Sequence, residues 1–309
     1  MSEQQPWDKE LNRMLILDRS GDFGESDVLY PFALEELLCR HVGEGGAPLL
    51  HLWRHPRAFV MGLRDSRLPA AGKAAAWLEG QGYAVAVRNS GGAAVPLDPG
   101  VVNVSLILPK MRQGDIDFHQ DFERMYRLIR EALRETGAGV DKGEIQGAYC
   151  PGDYDLSIRG RKFCGIAQRR QAHAYVVQAF VVAAGSGEAR AQLARGFYER
   201  AAAAEGGNAG SATAAAADST SPVSAAVIGM SATANYPQVT VSSMASLEQL
   251  TGLDGGRAAE QFAEAVKRVI RQRQTQEGLQ SASERLWLPG REQVTEMINT
   301  LRTRYGIQR

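Results

Sequence analysis

Net charge is the first thing this chain lacks. Its 309 residues carry 35 lysines and arginines against 35 aspartates and glutamates, a formal charge of zero. A protein whose affinity rests on neutralising phosphates carries a basic excess, so a generic nucleic-acid binder is disfavoured from the start. Cysteine is also scarce: only Cys39, Cys150 and Cys164. Such a small, odd set argues against a disulfide framework and for a reducing compartment, and the reading places the chain in the cytoplasm. There is no Cys-x-x-Cys pair and no histidine-rich cluster, so no metal site is expected. No apolar run approaches the roughly 20 residues of a membrane helix. The longest candidates, such as Ala174–Ala184, are strand-sized. Residues Met1–Arg13 are polar and lack the apolar core of a signal peptide. What remains is an ordinary soluble composition, 44% hydrophobic and 23% charged, in a chain long enough to bury a core.

Strand and helix patterns mix in both orders. Phe32, Leu34, Leu37, Leu38 and Val42 recur at helical spacing, and Phe118, Phe122, Met125, Ile129 and Leu133 mark a second amphipathic helix. Helices are also expected over Leu68–Leu78, Glu188–Arg200, Gly256–Gln274 and Arg291–Tyr305. Strands are expected over Leu49–Arg54, Ala58–Met61, Tyr83–Val87, Val101–Leu108, Asp155–Ile158, Lys162–Ala167 and Tyr175–Val182. This order predicts an α+β fold with a mixed β-sheet flanked by helices, not a regular βαβ array. Ala201–Pro222 is rich in Ala, Gly, Ser and Thr and nearly free of large side chains, and reads as a flexible insertion. The expected organisation is a leading segment over 1–30, a catalytic domain over 31–255 that contains the insertion, and C-terminal helices over 256–309.

Two stretches can carry chemistry. In Gly147–Arg170, Cys150 precedes Pro151-Gly152-Asp153, a turn sequence that puts a thiol on a loop. From Arg159 to Arg170 come Arg159, Arg161, Lys162, Arg169 and Arg170, with no acid among them. A hairpin at Arg159-Gly160-Arg161 that returned this strand to the loop would surround the thiol with positive charge and favour the thiolate. The alternative is a buried structural cysteine beside a solvated basic strand. In the second stretch, Arg88-Asn89-Ser90-Gly91-Gly92, a strand runs into paired glycines that let a ligand approach the backbone, with Arg88 as a fixed cation. An ordinary hairpin turn has the same signature.

Together the two stretches resemble the biotin/lipoate protein ligase superfamily, which contains lipoate ligases and octanoyltransferases. Arg88-x-Ser90-Gly91-Gly92-x-Ala94-Val95 matches one motif, Asp98-x-Gly100-x-x-Asn103-x-Ser105 continues it, and Lys162-x-x-Gly165-x-Ala167-x-x-Arg170 matches the lysine motif. The likeness runs from about Phe32 to about Tyr198. Tyr149-Cys150-Pro151-Gly152 and Gln168-Arg169-Arg170 are most similar to the octanoyl-transferring branch. The resemblance implies that Cys150 is an acyl-thioester nucleophile and that Lys162 lowers its pKa and moves a proton. It implies acyl or substrate contacts at Arg88, Ser90, Gly91, Gly92, Gly165 and Ala167, and no cofactor. The implied donor is the octanoylated glycine cleavage H protein, and the implied acceptors are lipoyl domains of 2-oxoacid dehydrogenase E2 subunits.

Cys164 stands where the octanoyl-transferring branch is expected to have alanine. Strand alternation predicts Lys162 and Cys164 on one face, which would make Cys164 a neighbour of the nucleophile; the alternative is a small core residue. Cys39 reads as core, and His119 and His173 as surface or core histidines. Arg54, Arg57, Arg64 and Arg67 read equally as a docking face for acidic carriers or as solvated surface. Three other functions fit the same motifs: transfer from an octanoyl-acyl-carrier protein, ATP-dependent lipoate ligation, and non-catalytic carrier binding.

Overall fold

The computed structural model describes residues 6–25, 27–110, 118–203 and 236–307. In chain order the elements are α1 (Pro6–Leu11), β1 (Leu15–Arg19), α2 (Tyr30–Gly43), β2 (Leu49–Trp53), β3 (Ala58–Met61), α3 (Ala71–Glu79), β4 (Ala84–Val87), β5 (Val95–Leu97), β6 (Val101–Pro109) and α4 (Phe118–Ala132). There follow β7 (Asp141–Lys142), β8 (Leu156–Ile158), β9 (Arg161–Arg170), β10 (Ala174–Val182), α5 (Gly187–Ala201), α6 (Leu247–Leu250), α7 (Ala258–Arg271), α8 (Gln276–Ser283) and α9 (Arg291–Tyr305).

A seven-stranded mixed sheet in the order β1-β2-β6-β10-β9-β8-β7 forms the frame, and a three-stranded sheet β4-β3-β5 stands beside it. Central strand β6 reads Val-Val-Asn-Val-Ser-Leu-Ile-Leu-Pro, nearly all apolar, because both of its faces are covered. Val102, Val104, Leu106 and Leu108 pack with α4 and α7, through Met125, Ile129, Phe262 and Val266. The opposite face carries Val101 and Ile107 and is covered by α2 and α9 through Phe32, Leu38, Val294 and Ile298. Each fully buried side chain of this size contributes roughly 1.5–3 kcal/mol. The mixed sheet flanked by helices is the α+β architecture that the sequence pattern predicts.

Two details differ from that pattern, and one extends it. Phe118 begins α4 but is 48% exposed, so the apolar stripe starts at Phe122. Ala201 is the last residue of α5 and fully buried, so it is helix and not insertion. The rest of the expected insertion, from residue 204 to Pro222, lies outside the described residues. Strand β1 pairs in parallel with β2, so the leading segment enters as a single strand that joins the main sheet at residues 15–19.

The Arg159-Gly160 turn expected between β8 and β9 is present, with φ of +53° and +72°. Two successive left-handed residues match the twist of a two-residue hairpin.

Candidate active site

The turn chemistry around Cys150 holds its thiol between the two sheets. Gly147 (φ +77°) redirects the chain, and its carbonyl accepts hydrogen bonds from the Thr240 amide at 2.7 Å and from Ser243 Oγ at 2.9 Å. Cys150 itself lies in the left-handed region, at φ +48°. For a residue with a Cβ this costs on the order of 1–3 kcal/mol and persists only when its surroundings enforce it. The sulfur accepts from Arg88 Nη2 at 3.4 Å and from the Ala93 amide at 3.3 Å.

Arg88 also donates to the carbonyls of Gly91 at 3.1 Å and Ala93 at 2.8 Å, so one guanidinium folds the glycine loop around the thiol. Gly92, at φ +90°, is needed there. A Cβ on it would lie 2.6 Å from Arg88 Nη2 and 3.0 Å from the sulfur. The loop is thus no ordinary hairpin turn, and Arg88 is the fixed cation read from the sequence.

Lys162 is fully buried and does not reach the sulfur. Its three donors go to the Tyr149 carbonyl at 2.9 Å, the Cys150 carbonyl at 2.5 Å and Asp155 Oδ1 at 2.7 Å. Lys162 thus grips the backbone that sets the thiol, and no hydrogen bond from it to the sulfur is found among the described residues. Burial raises the Asp155 carboxyl to about 6, against the pull of Lys162, and its Oδ2 has no hydrogen-bond partner among the described residues. A buried ion pair of this kind is costly to desolvate, and removing one partner leaves an uncompensated charge.

Of the two readings of Cys164, the structure favours the small core residue. Between Leu156↔Cys164 and Ser157↔Lys162 the β8–β9 register shifts, with an extra residue on β9. The bulge breaks alternation. Lys162 lies over the Phe180 ring, 5.5 Å from its centre, whereas Phe163 and Cys164 both join the cluster on the opposite sheet face. Burial pushes the Cys164 thiol well above its ordinary value, which leaves it a small core residue.

One space is lined by Cys150, and a second lies close to it. A narrow slot of about 30 Å³ is lined by Cys150, Arg88, Trp53, Leu97, Phe180 and Ala167 among others. Gly165 belongs to the slot and sits under Phe180, where a Cβ would lie 2.5 Å from the ring edge. The slot admits only one or two waters, so an acyl chain would enter only as its lining side chains move. On the other side of the Gly91-Gly92 loop lies a cleft of about 430 Å³, lined by Ser90, Gly91, Gly92, Ala93, Asp65 and Pro151 among others. The eight residues expected from the sequence are thus gathered at one locus, with Gly165 and Ala167 in the slot and Ser90 in the cleft. Asp155, Asp65 and the Ala93 amide are additions; Asp155 stood at the head of an expected strand, but no local signal marked Asp65.

The basic strand does not surround the thiol. Arg161 pairs with Glu188, Arg169 with Glu36 at 2.9 Å and Arg170 with Asp121 at 2.5 Å, and Arg159 donates to the Leu250 carbonyl. Cys39 is buried in α2, and burial pushes its thiol up to about 12. His119 and His173 are exposed. Arg54 is half-buried and donates to the carbonyls of Ser20 and Pro99, and Arg57 stacks on Tyr83, so only Arg64 and Arg67 of that run are exposed and uninvolved in such anchoring.

Residues 27–211 match the lipoyl protein ligase A/B catalytic domain. The chain is 45% identical over 185 residues to the octanoyl-[GcvH]:protein N-octanoyltransferase of Geobacillus kaustophilus, which covers 60% of this chain and 65% of that protein. It is 43% identical over 204 residues to the Anoxybacillus flavithermus protein of the same name, covering 66% and 70%. A lipoyl-[GcvH]:protein N-lipoyltransferase of Listeria monocytogenes is 43% identical over 173 residues, covering 56% and 62%. The chain therefore spans just under two thirds of the Geobacillus relative. Among solved structures, lipoate-protein ligase A bound with ATP superposes with a TM-score of 0.57 at 17% identity over 94% of this chain and 93% of that one, a likeness of fold. The motifs on the glycine loop and β9, the fold that joins them at Cys150 and these relatives agree: the chain belongs to the lipoyl protein ligase A/B catalytic-domain family.

Proposed function

We propose that this protein moves an octanoyl group from a lysine of the glycine cleavage H protein to a lysine of E2 lipoyl domains, through a thioester on Cys150. The observation that carries the reading is the placement of the thiol. Its sulfur is held by Arg88 and the Ala93 amide at the mouth of a largely apolar slot. A ligase that adenylates a free acid has no use for a nucleophile so placed.

Donor and product are both lysine amides, so the exchange is close to thermoneutral and needs no ATP. Amine attack on an amide is slow, and a thiolate divides it into two easier steps. Arg88 and the Ala93 N–H both donate to the sulfur, and the same donors would meet an oxyanion that develops on the acyl carbon. Lys162 holds the Cys150 carbonyl and so keeps the residue in its left-handed conformation. That is a positioning role, with Asp155 as its anchor.

The relative named as a lipoyltransferase, at 43% identity, supports a second reading with the same chemistry and a lipoyl cargo. Incubation with octanoylated H protein and an apo lipoyl domain, without ATP, tests the first. Intact mass spectrometry is expected to show the octanoyl mass on the lipoyl domain and a hydroxylamine-sensitive adduct on Cys150. Neither product with the octanoyl donor, but both with a lipoyl donor, selects the second reading. Neither with either donor overturns both.

A further inference from the structure

The thioester chemistry leaves open where the amine comes from. An acyl group on Cys150 Sγ has one side turned to the slot and the other to the glycine loop. Beyond that loop lies the cleft of about 430 Å³, whose wall includes Gly92, Ala93 and Pro151. These residues adjoin the sulfur: the Ala93 amide is 3.3 Å from it, and Pro151 follows Cys150 in the chain. Two polar side chains of the wall point to a ligand. Ser90 is 5% exposed, and its hydroxyl has no hydrogen-bond partner among the described residues. Asp65 is 3% exposed; its Oδ1 accepts from Tyr198 Oη at 3.0 Å and its Oδ2 from the Gly62 amide at 2.8 Å. The Ala94 backbone amide adds a further hydrogen-bonding influence on this carboxylate. Tyr198 Oη in turn accepts from the Ala94 amide at 3.1 Å, which ties the carboxylate to the loop that holds the thiol. A buried hydroxyl without a partner is costly, and a site that keeps one has room for a donor or acceptor from outside.

We propose that this cleft is the binding site for the primary amine of a lysine side chain, with Ser90 Oγ as its hydrogen-bond partner and Asp65 as the acceptor of its proton. The inference rests on the acyltransferase reading above. A lysine arrives as an ammonium, which has no lone pair with which to attack. One proton passes to the Asp65 carboxylate. The neutral amine then forms the N–C bond to the thioester carbonyl, the C–S bond breaks, and a second proton from nitrogen passes to Sγ. Departure of the donor lysine is the same path reversed, so one cleft serves both carrier proteins. The burial that raises the Asp65 carboxyl above its ordinary value makes it a better base for this step.

The test begins by loading Cys150 from a small octanoyl thioester, octanoyl-N-acetylcysteamine, which contains no lysine. Absence of any adduct on wild-type Cys150 is a failure of the acyltransferase reading itself. From the loaded enzyme, Asp65→Asn is expected to slow transfer to an apo lipoyl domain by about a hundred-fold or more. Discharge by hydroxylamine, which is already neutral, is expected at the wild-type rate. Ser90→Ala, which removes a group the fold leaves unbonded, is expected to slow lysine transfer about ten-fold with no change in melting temperature. Lysine transfer at the wild-type rate in both variants overturns the proposal. So does an equal slowing of lysine and hydroxylamine in Ser90→Ala, which would place the defect in the thioester and not in the amine.

Discussion

Lys162 holds Cys150 by its carbonyl oxygen, at 2.5 Å, and leaves the sulfur of the same residue to Arg88. Two cations thus divide the work on one cysteine: one holds its backbone, the other its sulfur. Arg88→Lys keeps a positive charge but cannot reach the sulfur and both loop carbonyls from one planar fork. The expected outcome is a fall in Cys150 acylation of about a hundred-fold, close to the loss of a preorganised donor. Intact mass spectrometry of octanoyl loading onto Cys150, wild type against variant at one pH, checks it.

Asp155 gives opposite pH signs for activity and stability. Its folded value, about 6, lies above its ordinary 3.8, so the folded chain binds that proton more tightly than the unfolded chain. Its contribution to stability is therefore full below 3.8 and is lost as pH rises through about 6. The ionised form is the one that anchors Lys162, so single-turnover transfer is expected to fall as pH drops through that same value. Asp155→Asn should have a lower rate and no such acid limb. Denaturation midpoints measured alongside the rates, on both sides of the transition, compare the two signs directly.

Gly92→Ala places a methyl group against Arg88 and the Cys150 sulfur while holding φ at +90°. A destabilisation of about 1–3 kcal/mol is expected from the backbone alone. The loss of acylation should be larger than that figure converts to, because the methyl group sits in the site. Urea unfolding and acyl-enzyme formation on the same preparation separate the two effects.

Cys164→Ala is expected to leave Cys150 labelling intact and to cost about 1 kcal/mol through loss of a buried group. Acyl label that survives in Cys150→Ala but disappears in the double variant would contradict the placement of Cys164 on the far face. Cys150→Ala itself should reduce transfer on the order of a thousand-fold or more, read as loss of the hydroxylamine-sensitive adduct.

The legible parts of the fold were those with a period. Strand β6, strand β10 and helix α9 carry runs whose spacing marks their limits, and α9 spans the expected Arg291–Tyr305. Helix α1 and strands β5 and β7 are too short for a period to emerge. At the site, Gly92 was legible because a left-handed loop demands glycine, and Arg88 because it adjoins that loop. The facing of Cys164 was not legible, because the bulge adds a residue to β9 without any compositional mark. Asp65 was not legible at all, since its hydrogen-bond partner Tyr198 lies 133 positions away.

The same bulge governs the redox fate of the chain. By turning Cys164 to the far side of the main sheet, it leaves a β-sheet between that thiol and Cys150, too thick for a sulfur–sulfur bond without unfolding. A sulfenic acid formed on Cys150 therefore cannot be resolved by Cys164 and must wait for a thiol from solution. A single extra residue in one strand thus leads us to expect that an oxidised Cys150 is reduced by an added thiol and forms no bond to Cys164.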